Sequence, residues 1–321
     1  MLESGSLAET HSAALLTARS STAAVTGPIR EGWPARILVC ADDKPPASDA
    51  LAAAHSIAAR SGAAVELLAV FSPSVSLPNA ASRRGSAQCE GPDRPQAAQL
   101  VNSVRRQQRE RLGGRVAWPV QLEVGDPVKV ILQYAADSGA ELVVMGIGDA
   151  DPRVRQRGGG TPAIASNHLP VPLLAAAPTW KGVPRDVVLY LDRDVPHLPT
   201  VRAALHCMDS RGVLWVMMHG GGRRASDGGG VRHDQPTMSR VLHLVRAEAA
   251  AVSPDVAVRA VYRTGDPVQA LLQLADESGA GLIVTPVYGA PGVVRSFLPN
   301  VADRLLLTAS CSVLAIPDWA G

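Results

Sequence analysis

The chain has 321 residues, of which 46% are hydrophobic and 19% charged, and its formal net charge is only +2. This length suggests two domains with enough apolar residues to bury a core, which argues against a disordered chain. The near-neutral charge gives no strong electrostatic footprint for a polyanion, so we predict neither nucleic acid nor a membrane as a partner.

From the amino end, residues 1–30 are rich in Ser, Ala and Thr, and we predict a disordered tail there. Apolar runs then alternate with stretches of helical periodicity; the runs are 37–41, 65–71, 120–124, 142–145 and 172–176, and the helical stretches include 49–60 and 96–112. A polar loop over 72–94 interrupts the pattern and is predicted to be mobile. Strands that alternate with helices predict a parallel sheet covered on both faces.

An internal repeat divides the chain into two halves. Gly125-Asp126-Pro127-Val128 recurs 140 positions later as Gly265-Asp266-Pro267-Val268. Strands at 187–191, 213–218, 256–262, 282–284 and 312–316 repeat the order of the first half. We therefore predict an α/β protein of two tandem, doubly wound, five-stranded domains, 35–178 and 186–318. Each Gly-Asp-Pro should end a strand and begin a helix, with Asp as the N-cap.

The cysteines and histidines point to no metal chemistry. The four cysteines, Cys40, Cys89, Cys207 and Cys311, are far apart in the chain, and no C-x-x-C occurs. The eight histidines form no H-E-x-x-H motif. We expect reduced thiols, a cytoplasmic location and no metal site.

Candidate ligand-binding residues lie where the strands of the first half end. Asp42 closes the first strand, Gly146 and Gly148 follow the fourth, and Gly159-Gly160-Thr161 precede the last helix. Ligands of doubly wound sheets bind beyond the carboxyl ends of the strands, and glycines let the backbone approach phosphate. The same residues also fit ordinary turns and helix caps, so both interpretations remain open.

In these features the chain resembles the universal stress proteins, in two tandem copies over 35–317. In that family an acidic residue closes the first strand, and a Gly-x2-Gly-x9-Gly-Ser/Thr loop wraps the phosphates of ATP. The resemblance implies ATP in the N-terminal domain, bound by Asp42, Gly146, Gly148, Gly159, Gly160 and Thr161. Asp42 would bond adenine or ribose, and Gly160 with Thr161 would hold phosphate. The loop departs from the pattern, because Asp149 replaces the second glycine and Gly160-Thr161 come one residue late.

The second half departs further from the family loop. Pro286 takes the place of the first glycine, Gly289 keeps the second, and Pro299-Asn300 replace Gly-Ser. Proline has no N–H and a fixed φ, so the phosphate cradle loses donors. We predict a degenerate second site at Asp192, Gly289 and Asn300, in which Asp192 and Gly289 are kept as structural residues.

The resemblance implies a non-enzymatic stress-response module whose halves pair through their fifth strands into an internal pseudo-dimer. A nucleotide-free scaffold that acts through partner binding is the alternative. A third interpretation is slow ATP hydrolysis, but the sequence offers no recognisable general base or metal-binding carboxylate for it beyond Asp42. The arginine-rich helical stretch 105–111 is interpreted as a solvated face, with an anionic partner as the second interpretation.

Overall fold

The first half of the protein forms six strands and four helices in the described part of the chain. The computed structural model describes residues 29–73, 83–84, 93–148, 161–191, 196–219, 235–287 and 300–317. The strands are β1 Arg36–Cys40, β2 Ala64–Phe71, β3 Arg83–Arg84, β4 Val120–Val124, β5 Leu142–Gly146 and β6 Leu173–Ala176. The helices are α1 Pro46–Ser61, α2 Asp93–Leu112, α3 Pro127–Ser138 and α4 Thr161–Ser166.

The second half repeats this order with five strands and four helices in its described ranges. The strands are β7 Asp186–Leu191, β8 Val213–His219, β9 Ala257–Arg263, β10 Leu282–Val287 and β11 Ser312–Pro317. The helices are α5 Leu198–His206, α6 Gln235–Val252, α7 Pro267–Ser278 and α8 Val301–Thr308. The predicted doubly wound α/β class is therefore correct for both halves.

All eleven strands belong to one sheet, in the order β3-β4-β2-β1-β5-β6-β11-β10-β7-β8-β9. Neighbours within each half are parallel, except for the short β3. The halves meet where β6 and β11 run antiparallel, with Leu174 opposite Leu314. The prediction that the last strands lie together and buried is confirmed, and each covers an edge that the other would leave open.

The strands are buried on both faces, which explains their continuous apolar sequences. Ile37 and Val39 of β1 contribute to a core shared with α1, α2, α5 and α6, whereas Leu38 faces the opposite core with α3 and α4. In the second half, Val188 and Tyr190 face a core packed by α7 and α8. Each half thus has helices on both sides of the sheet.

The repeated Gly-Asp-Pro motif has the predicted capping role. The Asp126 side chain accepts a hydrogen bond from the backbone N–H of Lys129 at 3.0 Å, and Asp266 accepts one from Gln269 at 2.9 Å. In both helices proline occupies the first turn, where its missing N–H has no intrahelical acceptor.

One element was not anticipated. Within the loop predicted over 72–94, residues Arg83 and Arg84 form β3, which pairs antiparallel with β4. Most of that loop and the tail before residue 29 lie outside the described residues, so the mobility of the loop and the disorder of the tail stay predictions. Among the helices that are described, all are too short or too polar to cross a bilayer.

Side chains also join the halves on both sides of the sheet. Trp180 donates its indole N–H to the Ser56 hydroxyl at 2.9 Å, which ties the segment between the domains to α1. On the other face, Asn300 Nδ2 donates to Asn167 Oδ1 at 2.9 Å, and Asn167 donates to Asp303 at 2.7 Å. These bonds connect the carboxyl end of α4 with the amino end of α8.

Candidate functional site

A cavity of about 960 Å³ opens at the carboxyl edge of the first-half sheet. Asp42 and Met145 line it just beyond β1 and at β5, while Thr161 lines it from α4. The chain moves outward from β1 to β2 and β4 and then returns to β5 on the other side of β1. The cavity therefore lies at the point where the strand order reverses, the usual ligand position in such sheets. Its volume suits a ligand the size of a nucleotide.

Asp42 is held at this edge by its neighbours. Its Oδ1 accepts a hydrogen bond from the Lys44 backbone N–H at 3.0 Å, and its backbone carbonyl accepts one from Gln107 Nε2 at 3.0 Å. Burial raises the pKa of the Asp42 carboxyl above its usual value; the hydrogen bond and charge of Lys44 oppose that shift, and the neighbouring Asp43 adds to it. A half-buried carboxylate is thus kept beside the cavity at a cost in stability.

Cys40 also contributes to the cavity wall. Burial raises the pKa of its thiol to about 12, so the thiolate form is strongly disfavoured at neutral pH. Because the thiolate is the nucleophilic form, Cys40 acts here as a small apolar wall residue.

The glycines after β5 have structural explanations of their own. A Cβ at Gly146 would lie 2.2 Å from the carbonyl oxygen of Pro46, so glycine allows α1 to pack closely against β5. Gly148 has φ +97°, a conformation that side chains rarely adopt. Gly159 and Gly160 lie outside the described residues. The structure thus brings Asp42 and Thr161 to one cavity and places Gly146 against α1.

The sequence interpretation missed the wall that α2 supplies. Arg106 and Arg109 line the cavity, whereas the sequence predicts mainly a solvated face for the arginine-rich stretch. Lys44 lines the cavity as well, so three cationic side chains accompany Asp42 and Asp43 there. The signal in the sequence was the excess of arginine over acidic residues in this helix, which pointed to an anionic partner.

At the corresponding edge of the second half, Asn300 is a structural residue. Its side chain caps α8 by accepting the Asp303 N–H at 2.7 Å, and it also donates to Asn167. Pro286 is a buried residue of β10 and lies beyond the ladder with β7, which ends at Val284. Its missing N–H therefore interrupts no pairing with β7. Asp192 and Gly289 lie outside the described residues.

Metal-ligating side chains do not cluster in the parts of the chain that the structure describes. No group of three or more His, Cys, Asp or Glu residues there has the arrangement to hold a metal ion. Cys40, Cys207 and Cys311 are free thiols.

A comparison with protein-family models matches the universal stress protein family over residues 35–176 and 221–317. The chain belongs to this family. The second match begins beyond β8, yet β7 lies between β8 and β10 and pairs with both, just as β1 lies between β2 and β5 and pairs with both. The universal stress protein fold is therefore present twice. No curated protein matches the chain.

Solved structures support the same fold. A universal stress protein from Archaeoglobus fulgidus DSM 4304 superposes with a TM-score of 0.61 at 13% identity, covering 88% of this chain and 96% of that one. A protein of unknown function from Pseudomonas aeruginosa PAO1 superposes with a TM-score of 0.52 at 14% identity, covering 92% and 95%. At such low identity these likenesses are evidence for the fold alone.

Proposed function

We propose that this universal stress protein binds one adenine nucleotide, in the first-half cavity, and acts through binding rather than catalysis. The observation that carries the proposal is that Asp42 and Thr161, which are far apart in the sequence, line one cavity at the reversal point of the sheet. A carboxylate at this position accepts hydrogen bonds from ribose hydroxyls or the adenine amino group. The Thr161 hydroxyl donates to a phosphate oxygen.

The proposal divides the chain into domains 35–178 and 186–318 that form an internal pseudo-dimer. The β6–β11 pairing supports the pseudo-dimer, because one strand from each domain joins the two halves of the shared sheet. The second domain would hold no nucleotide, since Asn300 is engaged in capping α8 and in bonding Asn167. A cytoplasmic location remains a prediction from the cysteine pattern.

Equilibrium dialysis with labelled ATP tests the site directly. We expect one site per chain, and Asp42→Ala should weaken binding roughly ten- to a hundredfold, the worth of a hydrogen bond to a charged group. Thr161→Val removes the hydroxyl at nearly constant volume and should weaken binding less. Gly160→Val should abolish binding by obstructing phosphate approach.

Asp192→Ala is the matched control, because this residue follows the first strand of the second half as Asp42 follows β1. We expect ATP binding to be unchanged in this variant. Two equivalent sites per chain, or binding that vanishes with Asp192→Ala and survives Asp42→Ala, would contradict the assignment to the first half.

The non-enzymatic part of the proposal has a separate test. Incubation with ATP and Mg²⁺ should release no phosphate above the buffer rate. A release that Asp42→Ala removes would instead establish a hydrolytic site.

A nucleotide-free scaffold is the second candidate. The observation in its favour is the contact of Gly146 with Pro46, which explains that glycine without any ligand. Denaturing freshly purified protein and measuring the ultraviolet absorbance of the supernatant separates the two candidates. Co-purified nucleotide supports the first candidate. Protein that carries no co-purified nucleotide and also fails to bind added nucleotide supports the second.

A further inference from the structure

One face of α2 forms a polar wall along the first-half cavity. Gln96, Gln99, Ser103, Arg106 and Arg109 recur at intervals of three or four residues and all line the cavity. Residues at this spacing share a helix face. The wall therefore changes from amide and hydroxyl groups near the amino end of α2 to two guanidinium groups near its carboxyl end.

These guanidinium groups are weakly neutralised by the protein itself. Arg106 lies 4.0 Å from the Glu110 carboxylate, and both side chains are about two-thirds exposed, so this pair contributes little. Arg106 also donates to the Ser103 hydroxyl at 3.4 Å. Within the residues that the structure describes, Arg109 has neither a hydrogen bond nor an ion pair.

The wall is positioned by a residue between the two arginines. Gln107 donates to the backbone carbonyl of Asp42, which attaches α2 to the end of β1. This contact keeps the arginine end of α2 next to the carboxylate assigned to adenine or ribose. A ligand held by Asp42 would thus have its other groups within the space that α2 borders.

Among the residues that the structure describes, the side of the cavity opposite α2 is lined by Met145 and Thr161 and by no cationic side chain. Helix α4 has only six residues and so aligns few peptide dipoles toward its amino end. The Gly146 backbone is packed against Pro46 and is not open on that side. Within the described lining, positive charge for a phosphate chain comes from Lys44, Arg106 and Arg109, and arginine is well suited to phosphate oxygens.

We infer that Arg106 and Arg109 form the anion subsite of this cavity and bind the phosphate groups of a nucleoside di- or triphosphate. The inference rests on the proposed nucleotide function and adds α2 to Thr161 as an element that contacts the phosphates. Affinity should therefore rise with the number of phosphates and fall as salt is added.

Isothermal titration with three probes tests the subsite: adenosine, ATP and inorganic tripolyphosphate. At about 150 mM salt, where charges beyond about 8 Å are screened, Arg109→Gln should weaken ATP roughly tenfold and leave adenosine unchanged. The double variant R106Q/R109Q should weaken ATP further and remove tripolyphosphate binding. Arg105→Gln is the matched control, because Arg105 is exposed on the same helix and does not line the cavity. It should match the wild type within about twofold.

The three probes separate failure of the subsite from failure of the nucleotide proposal. ATP binding that resists R106Q/R109Q would overturn the subsite and leave nucleotide binding standing. Tripolyphosphate binding that depends on both arginines would support an anion subsite. If ATP then bound no more tightly than tripolyphosphate, the nucleotide function would be overturned. Equal losses in R105Q and R109Q would overturn the subsite, because general charge would then explain the effect. Binding of none of the probes to the wild type would overturn both.

Discussion

Leu174 of β6 and Leu314 of β11 are register partners across the antiparallel seam, and both side chains are fully buried in the same core. This pair joins the two halves, so its energetic coupling measures how strongly they depend on each other. Leu174→Ala and Leu314→Ala should each cost about 2–5 kcal/mol of unfolding free energy, as buried leucines usually do. Contacting residues should also show a coupling of about 0.5–3 kcal/mol in the double variant.

Urea denaturation followed by tryptophan fluorescence and circular dichroism gives these free energies. Leu244→Ala is the control, since that leucine is 39% exposed and should lose much less stability. Strictly additive losses at the seam would show that the two halves unfold without mutual support.

Gly146→Ala should destabilise the protein without any ligand present. The new Cβ would meet the Pro46 carbonyl oxygen at 2.2 Å, so α1 must move away from β5. Overpacking of this kind typically costs about 1–3 kcal/mol. Thermal denaturation of the ligand-free variant measures the loss.

Gly113→Ala provides the comparison, because an added Cβ there meets nothing and only the left-handed backbone at φ +71° is strained. It should lose about 1 kcal/mol. If Gly146→Ala kept the ligand-free stability and reduced ATP affinity alone, this glycine would serve the phosphate and not the packing of α1.

Asp42→Asn should raise stability at neutral pH while it lowers nucleotide affinity. Burial raises the pKa of this carboxyl in the folded state, so folding disfavours the ionised form. That penalty is absent below the unfolded pKa of about 3.9 and fully present above the higher folded pKa. The amide carries no charge and can still accept the Lys44 N–H.

Urea midpoints from pH 3 to pH 8 test this sign. The variant should be more stable than the wild type at pH 7, and the difference should vanish toward pH 3. A variant that is less stable at pH 7 would indicate that the carboxylate has a structural role.

The carboxylate of Asp266 forms an ion pair with Arg304, with 2.8 Å between Oδ2 and Nη1. The other capping aspartate, Asp126, serves as the comparison for a test of this ion pair. The hydrogen bond from Arg304 holds the pKa of Asp266 below its usual range. Asp266→Asn keeps the N-cap acceptor and should lose about 0.2–1 kcal/mol, because both partners are more than one-third exposed. Asp126→Asn, at the equivalent cap of α3, should lose almost nothing.

The pH dependence of this loss follows from the lowered pKa. The contribution of Asp266 is present above its unfolded pKa of about 3.9 and disappears as the pH falls through the lower folded value. High salt should also reduce it. Equal losses in Asp266→Asn and Asp126→Asn at pH 7 would exclude a contribution from Arg304.

Local sequence signals were enough to predict the repeated strands and helices, though not the short β3. Apolar runs, helical periodicity and the Gly-Asp-Pro caps are local signals, so the caps at Asp126 and Asp266 could be predicted from a few neighbouring residues. The repeat then extended the same order to the second half. The family resemblance placed the last strands together, and their apolar residues have the buried register expected there.

Which residues from distant parts of the chain share a surface became known from the three-dimensional packing. The role of Gly146 depends on how closely α1 packs, and the cross-domain bond of Asn300 depends on where Asn167 lies 133 positions away. The arginines of α2 border the cavity because that helix packs on the sheet through Ala97 and Val104 and is bonded to the end of β1 through Gln107. Such contacts depend on how far each helix lies from the sheet and how it is rotated about its axis. Local sequence patterns do not specify these two quantities.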